Sequence, residues 1–402
     1  MINLEIPRKF VPLVQQAHQV ATEVFRRNSR KYDRAEHSYP KELDMLAALM
    51  EGMNAGGGSQ GAGAAGVRRD EIKDEGNRNG SNMATCLGTM ELCWGDVGFL
   101  LSLPRQGLGN SAIASVANEE QLKRFAGRWA AMAITEPQCG SDSAAIRTSA
   151  RLDGDHYVLN GEKIFVTAGE RAELIVVWAT LDKNVGRAAI KSFVVEKGTP
   201  GLELVRLEHK LGIRSSDTAN FMLRDCRVPK ENLLGTSEVN AEKGFAGVMQ
   251  TFDNTRPLVA SMGVGLARAC LEETRKALES VGVTIDYSKP ALTQHAAAAQ
   301  FLAMEADYEA ARLLTLQAAW MADNRNPNSL HASMAKAKAG RSCVDIALKC
   351  VELCGSVGYA ENELLEKWAR DAKIIDIFEG TQQIQLLIVA RRLLGKNSSE
   401  LR

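Results

Sequence analysis

The sequence predicts an α+β chain of several domains: a helical N-terminal region, a mostly antiparallel β region in the middle and a C-terminal helical bundle. Three observations predict it. Apolar residues recur at helical spacing towards both ends, while short β-rich runs separated by turn residues fill the middle. A length of 402 residues is more than one hydrophobic core usually serves. The texture changes near 131 and again near 241, which gives a helical domain over 1–130, a β domain over 131–240 and a four-helix-bundle domain over 241–402.

In the N-terminal region, Phe10, Leu13, Val14, Ala17, Val20, Ala21, Val24 and Phe25 form one apolar stripe, and Leu43, Leu46, Ala47 and Met50 a second. A Gly-rich insertion over 54–80 follows, and NAGGGSQGAGAAG reads as a flexible surface loop. Gly61, Gly63 and Gly66 spell GxGxxG, but no strand precedes them and no amphipathic helix follows. A dinucleotide fingerprint needs both, to aim a helix N-terminus at a pyrophosphate. Helical character returns over 83–127. In the β region, Asn160-Gly161 lies between two β-rich runs and predicts a hairpin turn. The bundle helices are broken at GVTIDYSKP, DNRNPNS and CGSVGYAEN. Cys343, Ala347, Cys350 and Cys354 share one helical face and read as core packing.

Composition removes several functions. Lys and Arg number 49 against 49 Asp and Glu, so the basic excess of a nucleic-acid binder is absent. No apolar stretch approaches the ~18 residues of a membrane-spanning helix, and the N-terminus lacks a secretory h-region. Eight cysteines without CxxC argue against a disulfide scaffold and fit a reducing cytoplasm. Histidines 18, 37, 156, 209, 295 and 331 are scattered, so no metal site is expected. There is no GxSxG elbow and no HExxH.

Two segments carry chemistry. Ala133 to Ser143 (AITEPQCGSDS) offers hydroxyls and free backbone donors where the β region begins. Ile377 to Gln385 (IFEGTQQIQ) places a lone carboxylate, Glu379, between an aromatic and a glycine, just before a helix N-terminus. Helix capping would equally explain that acid from this segment alone.

Longer motifs make the pattern specific. ITEPQCGSD at 134–142, NGEKIFVTAG at 160–169, KLGIRSSDT at 210–218, VPKENLLG at 228–235, FDNTRP at 252–257 and RDAKIIDIFEGTQQIQ at 370–385 occur in one order along nearly the whole chain. Through them the sequence resembles the acyl-CoA dehydrogenases, flavoproteins that convert an acyl-CoA to its trans-2-enoyl-CoA. The resemblance implies FAD as cofactor and Glu379 as the base that takes the α-proton, with the flavin accepting the β-hydride. Thr255 stands where some members carry an alternative base, and a threonine cannot do that work.

By the same resemblance, Ile134, Thr135, Gly140, Ser141, Phe165, Thr167, Thr381 and Gln383 would contact FAD, with Phe165 packing on the ring and Thr167 donating towards it. Ser141, Asp253, Arg256 and Gly380 would meet the substrate, Arg256 on its CoA portion. An electron-transfer flavoprotein as acceptor and a tetramer, homomeric or with a related subunit, are further implications. Three features depart from the pattern: the 54–80 insertion, the stretch 281–289, and Glu352 in the segment 352–358 that would border a neighbour's FAD. They admit a non-catalytic or half-site subunit as an alternative, and an acyl-CoA oxidase or a carrier-protein thioester also remains open.

Overall fold

A computed structural model describes residues 6–47, 78–104, 108–239, 246–397 and 400, with only the backbone at 246–254. The Gly-rich expectation and its GxGxxG lie outside the described residues, as does Met50. No helix among the described residues is long and apolar enough to cross a membrane.

The N-terminal region starts with α1 (Val11–Val20), which passes through a π-helical turn (Ala21–Arg26) into α2 (Arg27–Arg34). Its apolar stripe is buried at Ala21 and Phe25, but Leu13 stays 39% exposed. The π turn crosses α3 (Ser81–Gly95) closely: a Cβ on Gly95 would sit 2.9 Å from the Ala21 backbone. Asp96 then caps α4 (Val97–Ser102) by accepting the Phe99 N–H. Helices α5 (Leu108–Val116) and α6 (Glu119–Arg124) complete this region.

The seven-stranded sheet runs β1 (Ala130–Ala133), β4 (Leu174–Thr180), β2 (Ser149–Asp153), β3 (His156–Thr167), β7 (Thr218–Pro229) and β6 (Leu202–Leu207), with β5 (Ile190–Glu196) also on β4. Strand β1 pairs parallel with β4, while β3–β7, β6–β7 and β4–β5 are antiparallel. Every residue of β4 is buried, as a central strand requires.

The expected Asn160-Gly161 hairpin is wrong. Strand β3 runs straight through both residues, and the register with β7 shifts between Leu159 and Gly161. This is a bulge, and its glycine is needed because a Cβ there would lie 2.4 Å from Thr148 Oγ1. The β2–β3 turn instead falls at Gly154, which has φ +61°. Asp-Gly carries the same local signal as Asn-Gly, so only strand pairing could decide between them.

The bundle comprises α7 (Ala246–Ser280), α8 (Ala296–Asp323), α9 (Ser329–Tyr359), α10 (Leu365–Ile375) and α11 (Gln382–Leu394). The break expected at CGSVGYAEN is a kink at Gly355 (φ +56°), and α9 resumes to Tyr359. Cys343, Ala347 and Cys350 are fully buried in a cluster with Phe301 and Trp368, and Cys354 packs against it. Burial pushes the Cys350 thiol up to about 12, so it behaves there as a small apolar group. That cluster also contains Phe25 and Phe99, so the N-terminal helices and the bundle share one core.

Candidate active site

Helix α10 ends at Ile375, and the chain turns through Glu379 and Gly380 before α11. Both turn residues have positive φ, +57° and +91°. For glutamate this conformation costs on the order of 1–2 kcal/mol, so surrounding bonds must hold it. Lys336 of α9, fully buried, donates from Nζ to the Gly380 carbonyl at 2.6 Å. Gln385 donates from Nε2 to the carbonyls of Glu379 (3.1 Å) and Gly380 (3.2 Å). Thr381 caps α11 by accepting the Ile384 N–H at 3.4 Å.

The Glu379 carboxylate accepts a hydrogen bond from Thr255 Oγ1 at 2.9 Å. Burial raises its pKa above the ordinary glutamate value, although the Thr255 hydroxyl and the charges of Arg256 and Lys336 pull the other way. The residue keeps some surface, and it is the density of protein around the carboxyl that produces the rise. Burial likewise brings the Lys336 ammonium down to about 8, against the pull of Asp376 and Glu379. Arg256 is buried, 3% exposed.

The segment 134–142 is built on a second buried lysine. Lys163 donates to the Ile134 carbonyl (3.1 Å) and pairs with Glu136 Oε1 (2.8 Å). Glu136 also accepts the N–H groups of Arg147 and Thr148 and the Thr148 hydroxyl. Burial alone would raise Glu136, but these partners hold its pKa below the usual range. The Thr135 carbonyl accepts the Ile164 N–H, so this segment is laced to β3. There Phe165 has φ +56° and is 58% exposed. Its ring is therefore an uncovered apolar face on a strained backbone.

Loop 208–217 joins the two segments mechanically. Asp217 accepts the Ala168 N–H with its carbonyl and the Glu170 N–H with its carboxylate, directly after Thr167. Further along the loop, Ile213 donates its N–H to Asp371 Oδ1 at 2.5 Å. A Cβ on Gly212 would lie 2.6 Å from the Arg370 backbone, so only glycine permits this docking on α10.

The expected site residues thus fall into two groups. Glu379, Gly380, Thr381, Thr255 and Arg256 gather around the α10–α11 turn. Ile134, Thr135, Phe165 and Thr167 gather where the segment after β1 meets the last residues of β3, and Gly140 and Ser141 of that segment are exposed, with open space at Gly140. Gln383 is exposed on α11, and the Asp253 side chain lies outside the described residues. Sequence reading missed Lys336, Lys163, Glu136 and Gln385. Lys336 had a signal: it sits at a core position among Ala332, Ala335, Ala339 and Cys343, where a charge demands a reason. Of the departures, Glu352 is paired with Lys349 at 2.6 Å, and Tyr287 Oη bonds Glu305 at 2.7 Å.

Residues 242–394 match the acyl-CoA dehydrogenase C-terminal domain and residues 131–226 its middle domain. The mitochondrial short-chain specific acyl-CoA dehydrogenase of Mus musculus is 39% identical over 262 residues, which span 65% of this chain and 62% of the mouse protein. The short-chain specific acyl-CoA dehydrogenase of Clostridium acetobutylicum is 33% identical over 332 residues, 80% of this chain and 85% of that one. The butyryl-CoA dehydrogenase structure from Megasphaera elsdenii superposes with a TM-score of 0.81 at 29% identity, covering 98% of this chain and 100% of that chain. The chain belongs to the acyl-CoA dehydrogenase family.

Proposed function

We propose that the chain dehydrogenates a short acyl-CoA across its α and β carbons, with Glu379 as the base. The observation that carries this reading is a glutamate with a raised pKa, fixed on a positive-φ turn by bonds to its own carbonyl and that of Gly380. A raised carboxylate is a stronger base once ionised, and a substrate that displaces water raises it further. The Thr255 hydroxyl orients one oxygen and leaves the other for the α-proton. The Glu379 N–H serves the thioester oxygen, where negative charge grows as the proton leaves. Lys336 and Gln385 fix the two peptides that follow Glu379 in the turn. The similarity to short-chain and butyryl-CoA enzymes supports a short acyl group.

The residues fit FAD. An exposed Phe165, the Thr135 and Thr167 hydroxyls, open backbone at Gly140 and Ser141, and the N-terminus of α11 offer an aromatic surface and anion donors together. Ile134, Thr135, Gly140, Ser141, Phe165, Thr167, Thr381 and Gln383 would hold the cofactor. When bound, the flavin supplies the hydride acceptor for the β-carbon. Arg256, Ser141, Asp253 and Gly380 would bind the substrate. An electron-transfer flavoprotein is the proposed acceptor and a tetramer the proposed assembly. The changed stretch at 281–289 favours a heteromer as the second reading, whereas Glu352, paired with Lys349, is screened and lends it no weight.

Anaerobic addition of butyryl-CoA to the FAD-loaded protein should bleach the flavin, and longer or branched acyl-CoAs should do so more slowly. A protein that holds stoichiometric FAD and is bleached by no acyl-CoA would be a silent subunit. Stoichiometric FAD on a homo-oligomer would count against the heteromer.

Two substitutions test the turn. Lys336→Met leaves the buried Gly380 carbonyl without its charged donor, a loss of about 1–3 kcal/mol. We expect kcat to fall about tenfold, with flavin content unchanged. Gly380→Ala forces a Cβ into φ +91° and against Gln385 Nε2 at 2.4 Å. It should lower both Tm and kcat; unchanged values would show that the turn relaxes freely.

A further inference from the structure

Two of the scattered histidines, 172 residues apart, meet in the fold. His37 follows α2, and His209 opens the loop that joins β6 to β7. His37 Nε2 lies 3.3 Å from His209 Nδ1, which is 2.8 Å from Glu36 Oε2. One donor atom from each of the three residues lies within 4.8 Å of the others.

Hydrogen bonding alone satisfies this cluster poorly. His209 Nδ1 carries at most one proton, yet it faces both a carboxylate oxygen and an imidazole nitrogen. His37 Nδ1 is buried with no hydrogen-bond partner among the described residues. Glu36 is oriented by its backbone neighbour: its Oε1 accepts the Lys210 N–H at 2.8 Å. Oε2 therefore remains on the side of the histidines.

We propose that Glu36, His37 and His209 form a divalent-cation site of the zinc class, completed by water. Two imidazoles and a carboxylate are a common donor set for such ions. Zinc bonds of about 2.0–2.2 Å place tetrahedral donors roughly 3.4 Å apart, so a small opening of the present cluster accommodates the ion. The nearest opposing charge, Lys210, points its ammonium at the Ser216 carbonyl at 2.8 Å. A bound ion would staple the end of α2 to the loop that continues to Asp217, and so to the backbone beside Thr167. The scatter of histidines along the chain concealed this cluster, because its members come from two different regions.

The test uses the full chain with its flavin. Titration with Zn²⁺ should give one saturable equivalent per chain and raise Tm, since the ion binds only the folded arrangement. Co²⁺ in its place should give visible bands of a four- or five-coordinate ion. His37→Ala and His209→Ala should each weaken binding about tenfold or more, with the flavin spectrum retained. No saturable binding at millimolar metal would overturn the proposal. Binding unchanged in both variants would overturn it too, because the ion would then sit elsewhere.

Discussion

Glu379→Gln will retain its flavin and lose the ability to bleach it with an acyl-CoA. Removal of a general base costs roughly 10²–10⁴-fold in rate. Glutamine keeps the size and can still accept the Thr255 hydrogen bond, so loss of rate with retained flavin isolates the proton transfer. The pH profile carries a second signature. A raised pKa keeps the proton on Glu379 to higher pH, so kcat/KM should rise through a midpoint above the ordinary glutamate value of 4.5. Stability should move oppositely to activity. For a carboxyl with a raised folded-state pKa, stability is lost as pH rises from the unfolded value through the folded one. Above the folded-state pKa the native protein bears that cost, so the Gln variant should melt slightly higher there. A Gln variant that bleaches at the normal rate would remove Glu379 from the mechanism.

Lys367→Met will destabilise the fold by about 3–5 kcal/mol, the largest stability change expected of one substitution here. Lys367 is 1% exposed and pairs with Asp96 at 2.6 Å and with Asp371. Asp96 caps α4 and accepts the Ser29 hydroxyl, and Asp371 receives the Ile213 N–H. One ammonium therefore joins the N-terminal helices, the bundle and the docked loop. Methionine fills the space but leaves two buried carboxylates without a cation. Burial opposes the charged lysine, yet its two partners outweigh it and raise its pKa. The stabilisation is fully present below the unfolded value of 10.5 and is lost as pH rises beyond it. Denaturant unfolding at neutral pH measures the effect. Lys367→Met/Asp371→Asn should recover part of the loss, because it removes one unpaired charge and keeps an acceptor for Ile213. Equal stability of native and Lys367→Met proteins would show that the triad contributes nothing net.

The departures from expectation have definite physical causes. Helical spacing and β-rich runs carry the fold class because both report local periodicity, which survives in a linear sequence. The Asn160-Gly161 error arose where local turn preference and strand pairing compete. Pairing with β7 won, and the glycine serves a close contact with Thr148 instead of a turn. Lys336 and Lys163 went unseen because each acts on a backbone carbonyl far along the chain, and a carbonyl has no letter in the sequence.

What the sequence determined by itself is the succession of helical, β and helical regions and the motif pattern that nominates Glu379. What only the tertiary structure decided is the state of that acid: its strained turn, its neighbours Thr255 and Lys336, and the burial that raises its pKa. The same holds for the meeting of His37 with His209. Periodicity is a property of neighbours in the chain, whereas desolvation and charge are properties of neighbours in space, and those are set only when distant segments pack.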